Sequence, residues 1–300
     1  MAINRAKEAR QLQPGLAALC GQEYRAYGDE HLQVFDKGTS EKAFELELVT
    51  YGFGTTQIKP EGEAVQYDES GEQYVARYDH VLVAGAFAIT KEAIDDNVYV
   101  AVAERNVRSM ARAMHNTKQV IHASVLNNAF SSSYPIGDGV ALCSTSHPVQ
   151  AGVAANTFTT YQQLNEGSVE NANIDIAQFT DYRGLLIQAR GQKLIVPRNL
   201  MYTASRLIDT PLRPFTMNND INAMRETNTM PNGSFVYDYL TSPTTWFIKT
   251  DVPDGLKSYE RQPLERDEDH DFDTANWRFR MSERYSAGAT DWRGVFGGSN

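Results

Sequence analysis

The chain has few cysteines and no long apolar run. Its 300 residues include only two cysteines, Cys20 and Cys143, which lie far apart in sequence. That count excludes a fold held together by several disulfides, and the spacing excludes a CxxC metal or redox motif. No apolar stretch approaches the roughly 20 residues that span a bilayer, and residues 1–10 are polar, unlike a signal peptide. We therefore expect reduced thiols in a protein that is made and folded in the cytoplasm.

Positive charge is also scarce. The chain carries 28 Lys and Arg against 38 Asp and Glu, a formal net charge of −10. Because affinity for phosphate backbones comes mainly from Lys and Arg, such a chain is a poor general nucleic-acid binder. Its length predicts one elaborated domain or two, and its 15 Tyr and 13 Phe suit β-structure or large contact surfaces.

A long hairpin and a long helix dominate the predicted architecture. Residues 44–87 alternate apolar and polar side chains around turn signals at 59–63 and 68–72, which predicts a β-hairpin with a polar tip. Residues 97–128 contain no glycine or proline and repeat apolar side chains every three or four positions, which predicts one helix of roughly 45 Å. An isolated hairpin is marginally stable, so this one must lie on another surface, and a neighbouring subunit is the natural candidate.

The rest of the chain is predicted to form shorter elements. Residues 1–39 have the composition of a helical arm, and the acidic run 267–273 is expected to be a solvated loop. The last strand is expected to return beside the long helix. The other predictions are a strand at 140–143, helices at 169–190 and 200–208, and strands at 193–197, 235–239, 246–248 and 277–282.

One pair of residues has the chemistry of a nucleophile and its base. Cys143 and His147 lie four positions apart, and a cysteine hydrolase needs its thiolate within hydrogen-bond reach of an imidazole. However, no oxyanion loop is recognisable and Gly-x-Ser-x-Gly is absent. A buried thiol and a histidine in a turn is the simpler interpretation.

Other candidate sites are weaker still. The acidic run with His270 has no internal glycine and so fails the EF-hand pattern, and neither Gly52-x-Gly54 nor Gly137-x-Gly139 continues as a dinucleotide-binding motif. The predicted helix carries four cations away from its apolar stripe, which indicates a solvated or salt-bridged face rather than specific DNA recognition. The four cations are Arg105, Arg108, Arg112 and Lys118.

We assign no catalytic, cofactor-binding or metal-ligating residue, and we expect no cofactor and no enzymatic activity.

Several motifs, taken in order along the chain, resemble the major head subunits of tailed phages related to Mu. The resemblance covers roughly two-thirds of the chain, and the order of the motifs is more telling than any one of them. The matching segments are 87–89 (Phe-Ala-Ile), the acidic cap 94–97 with the uninterrupted helix after it, the loop 138–148 from Asp-Gly to His-Pro, Asn156-Thr157, 193–200, 285–288 and 291–294.

The resemblance implies an α+β fold, the Johnson fold of the Hong Kong ninety-seven type. Residues 1–43 would form an N-terminal arm, and residues 44–87 an extended loop lying over the next subunit. The peripheral domain would be 88–184 with the spine helix 97–128, the axial domain 185–263, and residues 264–300 would return to the peripheral domain.

The function implied by the resemblance is that of a major capsid protein. Its copies would assemble, as hexamers and pentamers in the host bacterial cytoplasm, into the icosahedral shell that encloses the double-stranded DNA of a tailed phage. The expected partners are a scaffolding protein, a portal and, in some relatives, a decoration protein, with no membrane. Only 43 residues precede the predicted hairpin, too few for a built-in scaffolding domain, so a separate scaffolding protein is expected. Lys59 near the tip has no identifiable cross-linking partner, so no covalent cross-link is predicted.

Three alternatives stay open at this point. One keeps the same fold in an encapsulin-type nanocompartment shell, and another is a different virion structural protein such as a tail component. The third is the cysteine hydrolase that uses Cys143 and His147. A cargo enzyme encoded nearby would favour the first, and loss of a hydrolase activity on alkylation of Cys143 would favour the third.

Overall fold

The structure, a computed structural model, describes residues 21–92, 99–150, 152–212, 220–271, 273 and 276–298. In chain order its strands are β1 (Asp36–Thr39), β2 (Phe44–Tyr51), β3 (Gly71–Asp79), β4 (Val81–Ile89), β5 (His147–Val149), β6 (Gly152–Ala154), β7 (Gly191–Val196), β8 (Ser234–Val236), β9 (Trp246–Thr250), β10 (Leu256–His270), β11 (Trp277–Ala289) and β12 (Val295–Gly298). Its helices are α1 (Tyr99–Asn127), α2 (Glu166–Ala177), α3 (Met201–Ile208) and α4 (Ala223–Glu226).

The first of two four-stranded sheets has the order β1-β10-β11-β4 and packs against α1. Alternating side chains of β11, among them Phe279 and Met281, meet the apolar stripe of the helix at Ala103, Val107 and Ala111. Small side chains on the helix let it approach the sheet closely. The expected return of a late strand to the long helix is therefore confirmed. The predicted helix 97–128 is observed as α1, although residues 97 and 98 lie outside the described residues.

The second sheet has the order β12-β9-β7-β8 and carries α2 and α3. Residues 194–196 of β7 and 246–248 of β9 are buried on both faces of the sheet, which explains why each is a short continuous apolar run in the sequence. Trp246, Leu194 and Ile248 pack there against Val169 and Ile176 of α2.

One predicted strand arrangement needs correction. The hairpin of 44–87 is shorter than expected, because β2 pairs with β3 only as far as Asp79, and β4 leaves it to pair with β11. Phe235 and Trp246 lie in β8 and β9 as predicted, and both strands pair with β7, which lies between them. The period of two identified the strands and carries no information on their partners.

Three local predictions are also wrong. The acidic residues 267–270 extend β10, where Asp267 and Asp269 face Arg280 and Arg278 across the ladder, so cross-strand charge pairing overrides their low strand propensity. Residues 36–39 of the expected helical arm form β1, which pairs in parallel with β10. Residues 140–143 form bends with one isolated β-bridge, from Ala141 to Pro135, rather than a strand.

The helix predicted at 169–190 ends early. It begins at Glu166, where the Asn165 side chain accepts a hydrogen bond from Ser168 N, and ends at Ala177. After that the Asp181 carboxylate accepts from the backbone N–H groups of Arg183 and Leu185, and Gly184 takes φ +90°. These side-chain-to-backbone hydrogen bonds stabilise a turn in place of the second half of the predicted helix.

Among the described residues, no helix is both long enough and apolar enough to cross a bilayer.

Candidate functional site

The hairpin β2–β3 turns its apolar side to solvent. Successive side chains of a strand point to opposite faces, so Phe44, Leu46 and Leu48 share one face of β2. Leu46 is 55% exposed and Leu48 45%. Val75, exposed on the same face, lies directly opposite Leu48 on β3. We call the face formed by Phe44, Leu46, Leu48 and Val75 the outer apolar face. Exposed apolar surface of this kind commonly marks a contact with another molecule.

The charged face of the same strand points inward and anchors the hairpin to its own chain. The Glu47 carboxylate lies 2.9 Å from Lys257 Nζ of β10 and accepts a hydrogen bond from the Tyr259 hydroxyl. Burial, followed by the hydrogen bond and charge of Glu47, raises the pKa of Tyr259, so the hydroxyl stays protonated as the donor. On β3, Tyr78 Oη lies 2.6 Å from Thr290 Oγ1 and its ring meets that of Tyr259 edge-on. The hairpin base is thus fixed, while its outer face stays exposed apart from the Arg77 guanidinium, which lies 4.5 Å from the centroid of the Phe44 ring.

The distal part of the hairpin is tied down at one point. Arg183 Nη1 lies 2.6 and 2.7 Å from the two carboxylate oxygens of Asp68. Gly54 N also donates to Asp68, at 2.7 Å. The hydrogen bond from Arg183 is the main reason that the pKa of Asp68 is lowered to about 2. Close by, Ile58 and Tyr67 are almost fully exposed, so the tip adds apolar surface to the outer apolar face.

The structure does not bring Cys143 and His147 together as a catalytic pair. His147 Nδ1 lies 2.6 Å from Asp138 Oδ2, and Nε2 lies 3.1 Å from Asn156 Oδ1, so both ring nitrogens are engaged elsewhere. Burial raises the pKa of the Cys143 thiol, which opposes thiolate formation. The imidazole stacks on Trp292 with ring centroids 4.5 Å apart, and His147 is fully buried rather than in an exposed turn.

The weaker candidates form no recognisable site. Among the described residues no group of three or more His, Cys, Asp or Glu is placed to hold a metal ion, and the side chain of His270 is outside that description. The amide of Gly54 binds Asp68, and Gly139 lies in a turn at φ +83°. Neither glycine pair opens a helix.

Two of the four cations on the long helix pair with the protein itself. Arg108 Nε lies 3.2 Å from Glu23 Oε1, and Lys118 Nζ lies 3.4 Å from the buried Glu283 carboxylate. Arg105 and Arg112 are exposed. The helix is therefore partly a salt-bridged face, in agreement with the interpretation preferred from the sequence.

Comparison with known proteins decides between the remaining functions. The family described as phage capsid protein matches residues 81–297, well over half of the chain. The chain belongs to the phage capsid protein family. No curated protein matches this capsid protein.

Solved structures show the fold of the capsid protein. The virus-like particle from Pyrococcus furiosus is similar over 94% of this chain and 97% of the other, with a TM-score of 0.53 and 9% identity. The capsid of a native GTA particle gives a TM-score of 0.55 and 11% identity over 89% of this chain and 88% of the other. The procapsid of bacteriophage JBD30 gives 0.50 and 13% over 97% and 75%. At these identities the likeness concerns the fold alone, the expected Johnson-type α+β capsid fold.

The family match makes this chain a major capsid shell protein, as its motifs indicated, and does not favour a nanocompartment or a hydrolase. The more specific likeness to Mu-related head subunits stays a prediction.

Two buried polar networks in the capsid protein were not predicted from the sequence. One surrounds Asn156, and the other joins His31 to His115, Gln119 and His122 of α1. The spacing of four and three residues along α1 was a usable signal, because residues so spaced share one helix face. Nothing local to His31 indicates that it completes that cluster.

Proposed function

We propose that this capsid protein is the major head subunit of a tailed phage, whose copies close as pentamers and hexamers into an icosahedral shell around double-stranded DNA. It assembles in the bacterial cytoplasm, remains in the virion and catalyses no reaction. The observation that carries the proposal is the outer apolar face, held outward by an inner face of ion pairs and tyrosine hydrogen bonds.

The hairpin is the main contact between subunits in this proposal. Each Leu or Phe side chain that is fully buried contributes about 1.5–3 kcal/mol, so a neighbour that covers the outer apolar face supplies several kcal/mol per contact. Heterologous contacts that close into rings repeat this gain around every ring and across the shell. Contacts of modest individual strength then suffice.

The division of the chain into domains is part of the same proposal. We assign the sheet that contains β11, together with α1, to the peripheral domain, and the sheet that contains β7 and β9 to the axial domain. Because β12 pairs with β9, we assign residues 295–298 to the axial sheet and not to the peripheral region, where the sequence placed them. A separate scaffolding protein, a portal and a decoration protein remain its proposed partners.

Electron microscopy tests the proposal directly. The purified chain, alone and with a candidate scaffolding protein, is expected to form closed shells or rings of five and six in negative stain. Glutamate at Leu46 (Leu46→Glu) is expected to abolish these particles, because it places a charge in a contact that must lose water.

The matched control for this variant is Ile174→Glu. Ile174 is 56% exposed, as much as Leu46, but lies on α2 away from the hairpin. Both variants must show wild-type circular dichroism as soluble chains. Particles that form normally from Leu46→Glu, or a wild-type chain that stays monomeric under both conditions, would contradict the proposal.

A further inference from the structure

Three histidines and a glutamine form a buried cluster where the N-terminal segment lies on the long helix. His115, Gln119 and His122 occupy one face of α1, and His31 reaches them from residues 28–35. All four side chains are buried, with no more than 5% of each residue exposed. The rings of His31 and His122 have centroids only 4.2 Å apart.

The hydrogen bonds of the cluster require neutral His31. The Gln119 side-chain oxygen accepts from the backbone N–H of His31 at 3.0 Å, which fixes the orientation of the amide. Its Nε2 therefore donates to His31 Nδ1, also at 3.0 Å, and this ring nitrogen must carry a lone pair. A proton on Nδ1 would set two N–H groups against each other, and the amide cannot rotate without losing its bond to the backbone.

The hydrogen bonds of His122 also favour a neutral ring. His122 Nδ1 donates to Lys118 O at 2.7 Å, and Nε2 lies 2.7 Å from Ser258 Oγ, a hydroxyl able to donate to it, so a neutral ring is fully satisfied there. Tyrosine rings and hydroxyls complete the surroundings. The cations are Lys37 and Lys118, the anions are Asp29 and Glu283, and the tyrosines are Tyr24, Tyr27, Tyr237 and Tyr285.

Water has a route to this cluster. A cavity of about 240 Å³ is lined by His31, Lys118, Glu283 and Tyr285. Arg25, Glu260 and Arg266 line the same cavity from the N-terminal segment and β10. A change of solution pH therefore reaches His31 without prior unfolding of the sheet.

We propose that the contact between His31 and the face of α1 formed by His115, Gln119 and His122 is an acid-sensitive latch. It holds residues 21–35 against α1 while the rings are neutral and releases that segment when they take up protons. The latch belongs to the single chain and does not depend on the proposed shell.

The direction of the pH effect follows from the shifted pKa values. Burial, followed by the charges of Lys118 and His115, lowers the pKa of His31 to about 4, and burial followed by His31 lowers that of His122 to about 3. Burial also lowers the pKa of His115. Because an unfolded histidine titrates near about 6.5, the segment loses stability as the pH falls from about 6.5 towards about 4. Glu283 and Glu30, whose pKa values are both raised by burial, act the other way, but they are two groups against three.

Hydrogen exchange of the purified full chain, at about pH 7.5 and about pH 5 with correction for intrinsic rates, tests the latch. Peptides from residues 21–35 are expected to exchange at least about tenfold faster at the lower pH, while peptides from β7 and β9 keep their protection. Unchanged exchange at 21–35, or an equal loss of protection throughout the chain, would overturn the proposal.

Two variants separate the latch from general acid sensitivity. His31→Asn places an oxygen acceptor where Nδ1 stood and does not titrate, so residues 21–35 of this variant are expected to lose clearly less protection at the lower pH than those of the wild type. The control His80→Asn alters a buried histidine that lies outside the cluster, between Ser40 and Ser286, and it is expected to release the segment as the wild type does. Equal release from His31→Asn and from the wild type would overturn the assignment. If His31→Asn fails to fold, the wild-type and His80→Asn profiles still decide.

Discussion

At the scale of single residues, Asn156 holds more of the fold than its position in a loop suggests. Its fully buried Nδ2 lies 2.8 Å from Leu142 O, 3.0 Å from Trp292 O and 2.9 Å from Val295 O. Its Oδ1 accepts from Ser144 N at 2.9 Å. One amide thus joins the loop after α1 to the segment that leads into β12.

Replacing this amide is expected to cost much of the chain's stability. Asn156→Ala removes the contacts of the amide with three backbone carbonyl groups, the Ser144 N–H and His147 Nε2, and each buried group left without a partner costs about 1–3 kcal/mol. We expect the free energy of unfolding to fall by about 3 kcal/mol or more. Urea unfolding of the purified chain, followed by tryptophan fluorescence, measures it.

The control for that substitution is Asn232→Ala. Asn232 is exposed and its side chain makes only a long contact, 3.4 Å, to Gln192 Oε1. Its removal is expected to change stability by no more than about 0.5 kcal/mol. Equal effects of the two substitutions would show that the Asn156 network contributes little.

At the scale of secondary-structure elements, the hairpin combines a firm base with a distal ion pair, Asp68–Arg183. Arg183→Gln is expected to free residues 52–70, because no regular structure holds the tip in place. Limited proteolysis should cut this stretch faster, while the free energy of unfolding changes by less than about 1 kcal/mol, as is usual for exposed ion pairs.

Arg77→Gln provides the comparison for Arg183→Gln. Arg77 also pairs with an aspartate, Asp79, on the same hairpin, but at its base. Its substitution should leave proteolysis of the tip unchanged. Equal cleavage of the tip in both variants would mean that Arg183 does not tether the distal part.

The sequence predicted elements better than it predicted their surroundings. The alternation in Phe44–Tyr51 and the apolar spacing in α1 depend only on local geometry, so both elements were found. Which face of β2 meets solvent was not predictable, because Glu47 is drawn inward by Lys257 and Tyr259, about two hundred residues later. The acidic end of β10 failed as a prediction for the same reason, since its partners Arg278 and Arg280 lie on another strand.

At the scale of the whole molecule, the net charge of −10 implies weak attraction for DNA. We expect the soluble chain to bind duplex DNA poorly and with little dependence on salt, because few cations are free to displace counterions. Fluorescence anisotropy of labelled duplex across a salt series measures this. Tight binding that weakens steeply with salt would show instead that exposed cations such as Arg105 and Arg112 grip phosphate.

Membership of the phage capsid protein family could also be predicted from the sequence, because the order of several motifs along the chain is recognisable even where residue contacts cannot be inferred. The motif at 138–148 contributed to the prediction of a phage capsid protein, but the environment of His147 was wrongly predicted, since this residue is a buried partner of Asp138 and Trp292 rather than a residue of a turn. Long-range polar networks around Asn156 and His31 join segments more than eighty residues apart, and no local pattern encodes such pairs.

The parallel pairing of β1 with β10 also affects when the chain can fold during its synthesis on the ribosome. Asp36 pairs with Lys257, so the first strand waits for a partner made more than two hundred residues later. At about 5–20 residues per second, translation imposes a delay of about 10–40 s before that sheet is complete. The anchors of the hairpin base, Tyr259 and Thr290, emerge equally late. A nascent chain therefore cannot hold its hairpin in the native position until nearly all of the described residues have been made.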